Sequence, residues 1–250
     1  MTAPIALQLY TLRAQLPEDY AGVIRQVAAM GYAGVEPAGF PGSNVRDAVR
    51  LFRELGLAVP AAHVNIFADA NAAFDTTAAL ECGYAVSGGG LGRDNFKSLD
   101  DVRRACDTAN ALAQTAKANG VHLGLHNHWW EFEPVEGQIP FDIMLERLDD
   151  SIIFEVDCYW AQVAGADPIA VIQRLGTRAP LLHIKDGPVQ KDVPQTAVGQ
   201  GKMDYQRIIA AAPHAEWLIV ELDYCATDML TAVRDSCTYL VSNGLAAGKG

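Results

Sequence analysis

Polar residues recur along this chain in pairs spaced i, i+2, each pair closing a short apolar run. The pairs are Gln8 and Tyr10, His63 and Asn65, His126 and His128, Glu155 and Asp157, His183 and Lys185, and Glu221 and Asp223. Glu36 closes another run alone, and Glu131 follows His128 within GLHNHWWEF (124–132). Alternate side chains of a strand share a face, so both members of a pair point the same way. Carboxylates turned toward apolar neighbours are costly unless paired. Carboxylates and imidazoles converging on one mouth repel or desolvate one another unless a cation stands among them. The set fits one divalent ion with mixed oxygen and nitrogen ligands. With no thiolate among them, the candidates are Mn²⁺, Co²⁺, Mg²⁺, Fe²⁺ and Zn²⁺, with Mn²⁺ favoured.

Plainer roles stand beside these. A single histidine such as His63 is often a hydrogen-bonded core residue, Glu155 can pair with a neighbouring Lys or Arg, and Lys185 can neutralise a carboxylate. Trp129, Trp130 and Trp160 serve equally as core packing or as a floor for sugar stacking. The glycine-rich SGGGLGR (87–93) lacks the G-K-[ST] ending of a phosphate-binding loop and reads as a flexible rim loop. No G-x-S-x-G elbow occurs and Cys225 has no triad pattern around it, so nucleophilic acyl chemistry has no support.

The elements that must carry these residues alternate. Strand-like runs occupy 5–12, 33–39, 57–65, 83–89, 121–128, 151–157, 180–186 and 216–223. Between them lie segments with apolar residues spaced at three and four, such as DYAGVIRQVAAMGY and SLDDVRRACDTANALAQTAKANG. Gly31, Gly56, Gly120 and Gly176 mark helix stops, and Ser98 and Asp167-Pro168 mark starts. Eight strands, seven intervening helices and an eighth at DMLTAVRDSCTYLVSNG predict a single-domain (β/α)8 TIM barrel over residues 1–250. The strand spacing of roughly 30 residues suits it. No Pro/Ser/Gly-rich linker divides the chain into two α/β domains. In such a barrel the active site lies at the C-terminal strand ends, where the paired residues fall.

Half of the 250 residues are hydrophobic, enough for a large core. The net charge of -11 argues against a broad nucleic-acid surface and leaves small neutral or metal-chelating substrates open. No signal peptide precedes the first strand and no run approaches about 18 apolar residues, so neither export nor membrane insertion is expected. Cys82, Cys106, Cys158, Cys225 and Cys237 are scattered, without C-x-x-C, which suits reduced thiols and a cytoplasmic location.

The segments LGLHNHWWEFEP, FEVDCYWAQVAGADP, LLHIKDGP, VGQGKMDY and LIVELD, in this order, resemble the sugar phosphate isomerase/epimerase family. That xylose isomerase-like group of TIM barrels includes inosose dehydratases and ketose 3-epimerases. The resemblance runs from LQLYTLR to the last helix. It implies one metal ion at the barrel mouth, with Asp157, His183 and Glu221 as ligands from strands six to eight. On strand five many members carry glutamate where this chain has His126. The nearest carboxylate, Glu131, is the expected fourth ligand, with His126 or His128 as proton carrier; the reverse assignment, with His126 as the strand-five ligand, stays open. Gln200 in VGQGKMDY stands where relatives often have glutamate, which leaves that position without an acid–base role. Barrels of this kind often associate into homodimers or larger assemblies.

The expected chemistry is isomerisation or epimerisation of a sugar, cyclitol or keto-sugar. The metal polarises a carbonyl, a base removes the neighbouring C–H proton, and an enediolate forms. His126, His128 and Glu221 are the candidate bases. Lys185, Glu36, His63, Tyr10 and Trp160 are expected to position the substrate. With a β-leaving group on the intermediate, the same first step gives dehydration or elimination. Two other classes remain open. Metal-assisted phosphodiester cleavage would require a basic groove and more ligands. A barrel that binds a sugar or a partner without turnover is kept open by the change to His126.

Overall fold

Each apolar run carries one short parallel strand: β1 (Ile5–Gln8), β2 (Gly34–Glu36), β3 (Ala61–His63), β4 (Tyr84–Ser87), β5 (His122–His126), β6 (Ile153–Asp157), β7 (Leu181–Ile184) and β8 (Trp217–Val220). The computed structural model describes residues 2–250 except Gly89 and Gly90. The strands form one sheet in the order β2-β1-β8-β7-β6-β5-β4-β3. It curls until β2 and β3 meet, joined by the parallel bridges Gly34↔Ala58 and Ala38↔His63. There the His63 backbone N–H donates to the Pro37 carbonyl at 2.8 Å. The outcome is a nearly closed (β/α)8 barrel, as the alternation predicts.

The outer layer consists of α1 (Tyr20–Ala29), α2 (Val45–Glu54), α3 (Ala70–Leu80), α4 (Leu99–Ala118), α5 (Pro140–Arg147), α6 (Cys158–Val163), α7 (Pro168–Leu175), α8 (Tyr205–Ala210) and α9 (Met229–Ser242). Two helices, instead of the one expected, fill the space between β6 and β7. Asp157 caps the first and Asp167 the second, the latter followed by Pro168 at the first helical position. Ser98 caps α4 by accepting the Asp101 N–H at 3.1 Å. The four glycines expected to stop helices all take positive φ. Along α4 the buried face is Val102, Ala105, Cys106, Ala109, Ala113 and Ala116, mostly small side chains. Spaced at three and four, they let a twenty-residue helix lie close against the sheet.

Every strand is shorter than its run, β1 and β3 for local reasons. Gln8 Oε1 accepts the Tyr10 N–H at 3.0 Å, turning Leu9–Leu12 into a 3-10 helix and ending β1 early. Gln8 and Tyr10 are therefore not a strand pair. Pro60 offers no N–H and stands just ahead of β3. In the run 83–89 the strand ends at Ser87, and Gly89 lies outside the described residues.

Ala6, Ala61, Val86, Ile153, Leu181 and Ile219 plug the barrel interior below the mouth. A Cβ on Gly124 would come within 2.8 Å of Val86 and 2.9 Å of Ile153, so β5 needs glycine there for the plug to close. No helix among the described residues is long and apolar enough to cross a membrane.

Candidate active site and metal centre

At the C-terminal strand ends the polar residues fall into two groups. Asp157 pairs with His183 across β6 and β7, and His126 with Glu155 across β5 and β6. Glu155 lies two residues deeper along β6 than Asp157, so this one strand supplies a carboxylate to each group.

The outer group is His126, Asp157, His183 and Glu221, with one ligand-type atom from each lying within 4.8 Å of the others. His126 Nε2 is 3.4 Å from Asp157 Oδ2 and 3.9 Å from Glu221 Oε2, and His183 Nδ1 is 2.8 Å from Glu221 Oε2. Asp157 divides its labour: Oδ1 accepts the Trp160 N–H at 2.8 Å, leaving Oδ2 for the site. Both ring nitrogens of His126 are buried without a hydrogen-bond partner. Burial, and next the charge of His183, push His126 down to about 3, so it stands as a neutral imidazole with a lone pair to offer. Unpartnered imidazole nitrogens beside two carboxylates are the donor set a divalent cation takes.

Lys185, 1% exposed, reaches into this group. Its Nζ stands 2.9 Å from Asp157 Oδ2, 2.8 Å from Glu221 Oε2 and 2.9 Å from Asp223 Oδ2. Burial alone would lower its pKa; Asp157, Asp223 and Glu221 overcome that and hold it well above its usual value. Glu221, against the pull of its own burial, is held well below the carboxylate range by Lys185 and His183.

The deeper group is Glu36, His63, Glu155 and His183. His63 Nε2 is 2.6 Å from Glu155 Oε2, and His183 Nε2 is 2.9 Å from Glu36 Oε2 and 3.1 Å from Glu155 Oε2. Burial, then the neighbouring Glu155, raise Glu36 to about 7. Gln8 Nε2 donates to Glu36 Oε2 at 2.7 Å.

A cavity of about 500 Å³ opens over these residues, lined among others by Tyr10, His63, Asn65, His126, His128, Lys185, Glu221 and Asp223. Such a volume suits a small-molecule ligand. Tyr10, 44% exposed, stands at the rim with the Arg13 guanidinium over its ring. His128 stacks on Trp130 with ring centroids 3.9 Å apart.

Three expected placements differ. Glu131 joins neither group; its carboxylate accepts the His128 backbone N–H at 2.9 Å, closing the turn after β5, and His126 takes the place beside Asp157 and Glu221. Glu36, expected against substrate, is fully buried under the cavity. Trp160 is also buried and packs its ring 5.6 Å from Lys185 Nζ. Gln200 is exposed on the loop before α8.

Other residues that position the site carry little signal in the sequence. Asn127 Oδ1 accepts the Asp157 N–H at 2.9 Å while Nδ2 donates to the Asp157 carbonyl at 3.1 Å, fastening the end of β5 to β6. Asp186 accepts four backbone N–H groups, from Gly187, Gly199, Gly201 and Met203, and so folds the loop between β7 and α8. Within that loop Gln195 grips Asp223, accepting its N–H at 2.7 Å and donating to Oδ2 at 3.1 Å.

The model of one protein family, described as xylose isomerase-like TIM barrel, matches residues 24–240. The chain belongs to that family. Among curated proteins none matches the sequence. Of the solved structures similar to this xylose isomerase-like barrel, one is a sugar phosphate isomerase/epimerase from Parabacteroides distasonis ATCC 8503. It has 26% identity and a TM-score of 0.83, over 95% of this chain and 97% of that one. An L-ribulose 3-epimerase has 17% identity and a TM-score of 0.73, covering 97% of this chain and 94% of its own. The IOLI protein, solved with a zinc atom, has 13% identity and a TM-score of 0.73, covering 96% and 98% respectively. At that identity the last two establish the barrel alone.

Proposed function

We propose that this xylose isomerase-like barrel is a divalent-metal-dependent isomerase or epimerase of sugars or keto-sugars. The observation that carries the reading is the convergence of His126, Asp157, His183 and Glu221 within 4.8 Å, with His126 and Glu221 lining the cavity. The sugar isomerase/epimerase, the ketose epimerase and the zinc-bound barrel of the same fold support it. The four residues fit a divalent cation because His126 brings two buried ring nitrogens with no other partner. Two carboxylates and two imidazoles without a thiolate favour Mn²⁺, with Co²⁺, Fe²⁺, Mg²⁺ and Zn²⁺ as competitors.

When bound, the cation supplies Lewis-acid polarisation of the substrate carbonyl. The remaining work falls to the chain. His128, which lines the cavity and has a buried Nδ1 without a hydrogen-bond partner, takes the proton from the carbon next to the carbonyl. Its stacking on Trp130 and the Glu131 oxygen 3.7 Å from Nδ1 fix the ring's plane. Lys185 spends its three N–H donors on Asp157, Glu221 and Asp223, and so holds the carboxylates of the site in place and ionised. Return of the proton from His128 to the neighbouring carbon gives isomerisation, and epimerisation requires delivery of a proton by a second group on the opposite face of the substrate enediolate.

The test is metal content by elemental analysis of the purified protein, with Asp157→Ala and His183→Ala made separately. An ion present in the parent and lost in both variants supports the reading. No bound ion after reconstitution with Mn²⁺, Co²⁺ or Zn²⁺ sinks it.

A further inference from the structure

The deeper group has a charge problem that the outer group does not. In the outer group Lys185 already offsets the carboxylates. Glu36 and Glu155 are each fully buried, and among the described residues no Lys or Arg pairs with either. Their partners are the imidazoles of His63 and His183 and the amide of Gln8. Among the described residues Glu36 Oε1 and Glu155 Oε1 have no hydrogen-bond partner, and Glu36 Oε1 faces His63 Nε2 at 3.7 Å. A buried carboxylate oxygen without a donor is expensive.

We propose that Glu36, His63, Glu155 and His183 form a second divalent-cation site beneath the first, with the imidazole of His183 standing between the two ions. The inference shares His183 with the reading above and rests on that reading only for a second ion being present alongside. Nδ1 of His183 faces Glu221 in the outer group, while Nε2 faces Glu36 and Glu155 in the deeper one. One ring thus offers a nitrogen to each once binding of the two ions has displaced its remaining N–H proton to solvent, leaving a bridging imidazolate. Ligand atoms about 2.1 Å from a tetrahedral centre lie about 3.4 Å apart. The separations of 2.6, 2.9, 3.1 and 3.7 Å in the deeper group bracket that value. A divalent charge would balance the two carboxylates and give Glu36 Oε1 the partner it lacks.

Supporting contacts are in place. Gln8 orients the Glu36 carboxylate, as residues behind a metal ligand do. A Cβ on Gly88 would fall 2.2 Å from His63 Nδ1, so the bare glycine makes the room that lets this ring sit over Glu155. His63 lines the main cavity and also a second one beside α3, which gives an ion a way in.

The competing account is a network of imidazolium–carboxylate pairs holding no ion. Chelator-stripped protein reloaded with Mn²⁺ decides between them, by ions per chain from elemental analysis and by titration calorimetry. Two ions per chain are expected in the parent, and one in each of His63→Ala, Glu155→Gln and His126→Ala. Circular dichroism checks that each variant folds. Glu36→Gln, which keeps the shape of the side chain, should weaken one of the two binding events at least tenfold and leave the other unchanged. A single ion that survives His63→Ala and Glu155→Gln but is lost in His126→Ala overturns the second site and keeps the first. A single ion with the opposite pattern overturns the outer site and keeps the deeper one. No ion in the parent overturns both.

Discussion

Glu221 Oε2 lies 2.8 Å from Lys185 Nζ and 2.8 Å from His183 Nδ1, so a single carboxylate oxygen serves an internal cation and a candidate metal ligand together. Lys185 therefore competes with an ion for Glu221 and Asp157. Replacing it by methionine leaves buried carboxylates without their ammonium. Lys185→Met should destabilise the metal-free protein by about 3–5 kcal/mol. Added Mn²⁺ should recover most of that and bind more tightly than to the parent, while turnover falls. Melting temperatures with and without chelator, together with calorimetric titration, measure all of this.

The choice between His126 and Glu131 on the β5 side gives a second prediction. Glu131 serves the backbone of the turn, whereas His126 points unpartnered nitrogens at Asp157 and Glu221. His126→Ala should remove or strongly weaken the outer ion. Glu131→Gln should keep the metal content of the parent, because its amide oxygen can still accept the His128 N–H. Equal metal loss in the two variants would put Glu131 back among the ligands.

Asn127 acts as a clasp between strands. Asn127→Ala leaves the backbone N–H and carbonyl of Asp157 without their partners. A cost of about 1–3 kcal/mol in urea unfolding is expected. Because Asp157 shifts with its backbone, Mn²⁺ affinity should fall by about 10–100-fold, the range typical of residues that orient ligands. An unchanged affinity with the same stability loss would reduce Asn127 to a purely structural role.

Much of this architecture could be read from the chain, and the parts that could not share a cause. The strands were visible because each is an apolar run bounded by glycine, proline or a polar pair, and their count fixed a barrel. His126, Asp157, His183 and Glu221 stood out as ligand-type residues at strand ends, and the structure brings them together. Tyr10 left its strand because the Gln8 side chain captures its N–H, a local competition that alternation does not display. Asp186 read as one more acid in HIKDGP, yet it organises backbone from Gly187 to Met203. Gln195, in PQTAVGQ, grips Asp223 from 28 residues away. Spacing also cannot tell which way the two nitrogens of His183 face, and that decides whether the site has one group of ligands or two.

The cavity wall bears on substrate charge. Lys185 is the one Lys or Arg among the described lining residues, and three carboxylates already hold it. Glu221 and Asp223 add negative charge to the same wall. A phosphate group would find no free cation there. Unphosphorylated keto-sugars should show kcat/KM at least tenfold above their phosphorylated counterparts, a difference of about 1.4 kcal/mol in transition-state stabilisation. A preference for the phosphorylated form would mean that another segment supplies the missing charge.

Proton removal next to a carbonyl is the central claim, and solvent exchange reads it without knowing the product. Mn²⁺-loaded protein would be incubated with a panel of unphosphorylated ketoses and keto-sugars in D2O, and the carbon-bound protons followed by NMR. The account predicts deuterium at the carbon beside the carbonyl of at least one substrate, abolished in Asp157→Ala and reduced at least a hundredfold in His128→Ala. Metal-loaded protein that binds such a sugar yet exchanges no proton in any of them would contradict it, and would make this barrel a binding protein.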